Sequence, residues 1–140
     1  MRSAITLSFR QEMLTGVHDL LSDTVKLALY TSASDVSTST ATYGAATNEV
    51  ASGSGYTTGG NTVTGKQIVT DLQTVVFTFA DVEWGVASFT TRYALLYNAS
   101  KANRSIAVFD LLVDRTGTGA TFKLEVPPAT AAAGLVRFTS

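Results

Sequence analysis

Ala87-Ser88-Phe89-Thr90-Thr91-Arg92-Tyr93-Ala94-Leu95-Leu96-Tyr97 and Ser105-Ile106-Ala107-Val108-Phe109-Asp110-Leu111-Leu112-Val113 flank the polar loop Asn98-Ala99-Ser100-Lys101-Ala102-Asn103. Both flanks are rich in β-branched and aromatic residues, and the loop is small and polar, so the unit reads as a β-hairpin. Side chains alternate across a strand. Ile106, Val108, Asp110 and Leu112 therefore share one face, and Ala107, Phe109, Leu111 and Val113 share the other. Both faces are mostly apolar, which places this strand in the middle of a sheet.

The same period of two extends outward. Val25, Leu27 and Leu29 alternate with Lys26, Ala28 and Tyr30. Further strands are expected at Thr62–Thr70, Thr74–Phe79, Thr121–Val126 and Leu135–Thr139. In Thr74–Phe79, the residues Val75, Phe77 and Phe79 fall on one face, and Pro127-Pro128 ends the strand after Phe122, Leu124 and Val126. This spacing of short strands predicts an all-β fold, an antiparallel β-sandwich or jelly roll of about eight strands. Residues 25–140 form the sandwich domain in this reading.

Residues 1–24 read as an N-terminal helical arm. Ser8-Phe9-Arg10-Gln11 fits a capping box, with Ser8 as N-cap and Gln11 at the third helical position. Phe9, Met13 and Val17 make one helical face, so a short helix is expected over about Ser8–Thr15, with an extension to Leu20 left open. Thr31–Gly60 is a long run of Ser, Thr, Ala and Gly, expected to lie over the sheet with a short ordered piece at Asn48-Glu49-Val50.

Composition closes several routes to function. The 140 residues include 45% hydrophobic but only 15% charged residues, with a net charge of −1, one His and no Cys. One domain is expected at this length. The charge balance offers no general attraction for nucleic acid or an anionic membrane. No apolar run is long enough to span a bilayer. The absence of Cys excludes disulfides, thiolate metal sites and a cysteine nucleophile. With 22 Thr, 13 Ser and 18 Ala, the surface is largely hydroxyl and methyl. Such a surface suits coverage by partners, or a robust β-domain with a Thr-rich face.

Residues that could carry chemistry are sparse. His18 stands after the helix without a nucleophile-elbow motif and reads as a cap or surface residue. Asp110 with Asp114, and Asp81 with Glu83, are carboxylate pairs that glycoside hydrolysis or calcium would need. Asp110 beside Arg92 reads better as an ion pair. Gly53-Ser54-Gly55-Tyr56-Thr57-Thr58-Gly59 has one residue too many for a dinucleotide fingerprint and reads as turns. Trp84 and Tyr97 are the aromatics least committed to a core, and with the Asn98–Asn103 loop they would form a sugar platform. No catalytic, cofactor-binding or metal residue is assigned.

Four segments together carry a resemblance. They are Asp23-Thr24-Val25-Lys26-Leu27-Ala28-Leu29-Tyr30-Thr31-Ser32-Ala33, Asn48-Glu49-Val50, Gly53-Ser54-Gly55-Tyr56-Thr57-Thr58-Gly59-Gly60 and Ala94-Leu95-Leu96-Tyr97-Asn98-Ala99-Ser100-Lys101. In this order the chain resembles small structural proteins of tailed bacteriophages, and most of all capsid cement proteins with a jelly-roll fold. The resemblance implies a non-enzymatic virion protein on the outside of the head. It would bridge major capsid protein subunits and bind copies of itself, with a dimer expected. It would be made in the bacterial cytoplasm, which suits a chain without Cys. The alternative is a tail or fibre component that binds a glycan receptor. Neither reading involves nucleic acid, a membrane or a cofactor. Met1–Leu21 and Thr31–Gly60 are the expected contacts with the shell.

Overall fold

A computed structural model describes residues 1–139. Along the chain run β1 (Arg2–Ile5), α1 (Leu7–Leu14), β2 (Val25–Tyr30), β3 (Asn61–Thr62), β4 (Gln67–Asp71) and β5 (Thr74–Thr78). Then follow β6 (Val82–Ala87), β7 (Thr90–Asn98), β8 (Arg104–Thr116), β9 (Ala120–Leu124) and β10 (Val136–Thr139). The chain is mostly β, and every strand pairing is antiparallel. The strands number ten among the described residues, not about eight, and form three sheets. These have the orders β1-β8-β7-β2-β3, β10-β5-β4 and β6-β9.

The hairpin is β7–β8, and β8 lies between β7 and β1 as its two apolar faces require. Leu27, Leu29, Ala94, Leu96, Ala107 and Phe109 meet Phe77, Val136, Trp84 and Leu124 in one core that draws on all three sheets. The opposite face of the large sheet carries Ala28, Tyr30, Leu95, Tyr97 and Val108, covered by Val36 and Tyr43 from the long loop. This double coverage explains why β2 is buried along nearly its whole length.

Two bulges break the expected alternation in β8. Leu96 faces Ala107 but Tyr97 faces Ser105, so Ile106 has no partner on β7. Ile106 and Ala107 both reach the main core as a result. At the other end Thr91 faces Arg115 and Tyr93 faces Asp110, with Leu112 in the left-handed region at φ 72°. Leu111 stays buried while Val113 is exposed, so the two do not share a face as expected.

Other boundaries shift for local reasons. The expected strand Thr62–Thr70 splits into β3 and β4 around Gly65, whose φ is 64°. Ala87 ends β6 instead of opening β7. The helix starts one residue before Ser8, and its N-cap is Thr6, whose hydroxyl accepts from the Phe9 N–H at 3.4 Å. Thr6 prevails because it is already fixed by the sheet. Its hydroxyl donates to the Ile106 carbonyl and accepts from the Ser105 hydroxyl at 2.9 Å. Residues 1–24 contain the unforeseen strand β1, which pairs with β8 from Arg2–Asp110 to Ile5–Ala107. Phe9 of α1 is fully buried in the main core.

Candidate functional site

Most residues singled out for chemistry serve the fold. Arg92 Nε donates to Asp110 Oδ1 at 2.9 Å, the ion pair expected from their neighbouring strands. That contact, with the Leu112 N–H, holds the Asp110 carboxyl below its ordinary pKa. The bulge breaks the alternation that would put Asp114 on the same face. Asp81 accepts from the Val126 N–H at 2.7 Å, and Glu83 faces Lys123 across β6–β9. Trp84 is 2% exposed and packs among Tyr56, Phe89 and Phe122; Tyr97 is 3% exposed and stacks on Tyr43. Neither can form a surface platform for a sugar. Gly55 supplies positive φ and also close approach, since a Cβ there would lie 2.7 Å from the Val86 carbonyl oxygen.

His18 is not a surface residue: its side chain is fully buried. Its Nε2 lies 3.0 Å from Glu12 Oε1, and its Nδ1 lies 3.0 Å from Asn98 Nδ2. Asn98 is oriented by giving a second hydrogen bond to Asp23 Oδ2 at 2.8 Å and accepting from the Ser100 N–H at 3.0 Å. The amide therefore donates to Nδ1, and the imidazole donates from Nε2 to Glu12. Arg104 completes the cluster on Glu12, and Lys101 lies 3.8 Å from Asp23. Burial raises the Glu12 carboxyl pKa, but hydrogen bonds from Arg104 and His18 outweigh it, so the net shift is downward. The cluster ties α1 to the loop end of the β7–β8 hairpin.

A second polar centre organises the long loop. Glu49 accepts from the Tyr43 hydroxyl at 2.6 Å, the Tyr56 hydroxyl at 2.7 Å and the Gly59 N–H at 2.7 Å. The Tyr56 hydroxyl in turn accepts from the Leu29 N–H at 3.0 Å. Burial and the neighbouring carboxylate push the Tyr56 hydroxyl pKa well above its usual value, so it remains a donor. Tyr97 gives its hydroxyl to the Gly59 carbonyl at 2.7 Å. At Gly60 a Cβ would lie 1.9 Å from the Leu27 carbonyl oxygen, so only glycine admits this approach.

The outer surface offers a different kind of site. Leu7, Met13, Leu14 and Leu21 from the N-terminal segment are exposed, as are Ile68, Leu72 and Val75 from the β4–β5 hairpin. Leu14 is 90% exposed and Leu72 is 84% exposed. Met13, Leu20, Ile68, Val75 and Phe77 line one groove of about 230 Å³ between the helix and the small sheet. The helical period in the sequence pointed to Met13. Nothing there signalled that the face would stay uncovered, because the strand pairing that brings β4–β5 beside the helix is not local. Exposed apolar clusters of this kind mark contact surfaces. Among the described residues no cluster of metal-ligating side chains occurs, and no helix is long and apolar enough to cross a membrane. No protein-family model, curated protein or solved structure matches the chain.

Proposed function

We propose that the chain is a non-enzymatic structural protein of a phage virion. In this reading it is a cement protein on the outside of the head that bridges major capsid protein subunits. The five-stranded sheet and the two smaller sheets would be the opposed layers of a jelly roll. The observation that carries the reading is the groove between α1 and the β4–β5 hairpin, lined by Met13, Leu20, Ile68, Val75 and Phe77, together with the exposed Leu14 and Leu72 on the same two elements. A cement protein gains from many modest contacts multiplied by symmetry, so such a face needs no deep pocket. The order of the four quoted segments supplies the phage assignment, and a low-charge, Thr-rich surface accords with coverage by neighbours. A homodimer through the same kind of face is part of the proposal.

The test is to mix the purified protein with expanded heads that lack it and image them by electron cryomicroscopy. Regular density at symmetry or local-symmetry axes is expected, with occupancy reduced by Leu14→Ser and Leu72→Ser together. Bare heads overturn the head assignment, and density at the tail of intact virions would replace it with the tail or fibre reading.

A further inference from the structure

β1 is an edge strand, and its outer side faces a groove. The Thr6 N–H donates to the Ile106 carbonyl at 3.0 Å, which fixes the phase of the β1–β8 ladder. Hydrogen-bonded pairs alternate in an antiparallel ladder, so Ala4 and Arg2 also bond towards β8. Ser3 and Ile5 turn their N–H and C=O groups the other way. Leu7 confirms the direction: its N–H reaches the Thr38 carbonyl at 2.9 Å on that outer side. Beyond the Leu7 contact no strand among the described residues pairs with this edge, because β1 ends its sheet.

The edge opens on a groove of about 530 Å³ between β1 and β10, lined by Ser3, Ile5, Arg10, Thr38, Leu135 and Arg137. It continues past Arg2 and Pro127 into a second hollow of about 420 Å³. Among the described residues no carboxylate lines either part. Arg92 and Arg104 are neutralised by Asp110 and Glu12, whereas Arg2, Arg10 and Arg137 make no ion pair among the described residues. Arg137 is held in place by the Ala131 and Ala132 carbonyls, at 3.0 and 2.8 Å from Nη1, and keeps further donors free.

We propose that this groove receives an extended segment of another polypeptide, carrying Asp or Glu side chains, which adds as a strand to β1. Alternate N–H and C=O groups at Ser3 and Ile5 match a polypeptide backbone and give affinity. The three arginines set the sign of its side chains. A second copy of this chain in a two-fold arrangement would bring the arginines against their own images, so the groove also disfavours self-pairing at this edge. The inference stands whether or not the chain belongs to a virion.

The test is selection of the full chain against a random ten-residue peptide library, followed by amide exchange on the complex with the best peptide. Enriched peptides should alternate Asp or Glu with β-branched residues, and exchange at Ser3 and Ile5 should slow at least about tenfold on binding. Arg10→Glu with Arg137→Glu should weaken the acidic peptide by about tenfold or more. Ser3→Pro deletes one outward donor while leaving the β8 ladder bonds in place, and should also weaken binding, so the proposal does not depend on the double variant folding. No enrichment, enrichment without acidic bias, or binding that leaves Ser3 and Ile5 exchange unchanged would overturn it. Slowing at these amides with rising protein concentration alone would make a second copy the occupant and would equally overturn it.

Discussion

Two regions of the molecule invert the usual placement of side chains. Around Glu49 a carboxylate, two tyrosine hydroxyls and backbone amides sit under the long loop, each with a partner. Across α1 and the β4–β5 hairpin, Leu14 and Leu72 stand almost wholly in water, and Met13, Ile68 and Val75 are partly exposed. The first arrangement is tolerated because each of these groups has a partner, and buried polar groups are penalised most heavily when unpaired. The second is unfavourable in water and becomes favourable when covered. Polarity inside therefore helps to specify the fold, whereas apolarity outside is the feature on which the proposed association rests.

Substitutions separate the two roles. The largest loss of stability should come from Phe9→Ala, the inward residue of the same helix that displays Leu14, at about 3–5 kcal/mol. Urea unfolding measures it, and a loss under about 1 kcal/mol would mean that α1 is not anchored by the core. Glu49→Ala should follow at about 2–3 kcal/mol, since it strands the Tyr43 and Tyr56 hydroxyls and the Gly59 N–H. Loss of protection at the Thr31–Gly60 amides, with the β7–β8 amides unchanged, would locate the damage in the loop.

Acid should act next. Asp110 is held low by Arg92, while Glu12 and Asp23 end low although their burial alone raises them. Lowered native pKa values mean that the unfolded chain binds more protons, so the stabilisation is complete above about pH 5 and disappears as pH falls through the native values. A melting temperature flat from neutral pH to about 5, then falling, is the expected profile. Leu14→Ser and Leu72→Ser should change stability least, within about 0.5 kcal/mol. Sedimentation should nevertheless report weaker self-association. If these two variants unfold the protein instead, the apolar face belongs to the fold and the contrast fails.

The legible parts of the fold are those with strong local periodicity. Leu95, Leu96, Val108 and Phe109 announced β7 and β8, and Val25, Leu27 and Leu29 announced β2, because alternating apolar runs allow little else. β1 was illegible. Arg2-Ser3-Ala4-Ile5 is short and half-exposed, and becomes a strand only by meeting Ala107–Asp110. The bulge at Ile106 carries no glycine or proline to mark it. Thr6 displaced Ser8 as the cap through contacts with Ser105 and Ile106, which no local pattern contains. In the candidate site, Met13 was visible as a helical position, and Glu49 as part of an ordered piece. Their settings were not, because Ile68 and Val75 reach Met13 through tertiary packing. Trp84 stood alone in the sequence yet is held by Tyr56, Phe89 and Phe122 from three other places in the chain.

The pairing of β1 with β8 also sets an order of events. The Thr6 hydroxyl meets Ile106 across 100 residues, and Arg104 meets Glu12 across 92. During synthesis β1 therefore has no strand partner until the β8 residues emerge, roughly 5–20 s after it at ordinary elongation rates. Loop closure over such a distance also slows refolding. Residues 2–14 are thus made well before the strand that fixes them, and until it emerges Leu7, Phe9, Met13 and Leu14 remain open to chaperones or to premature association.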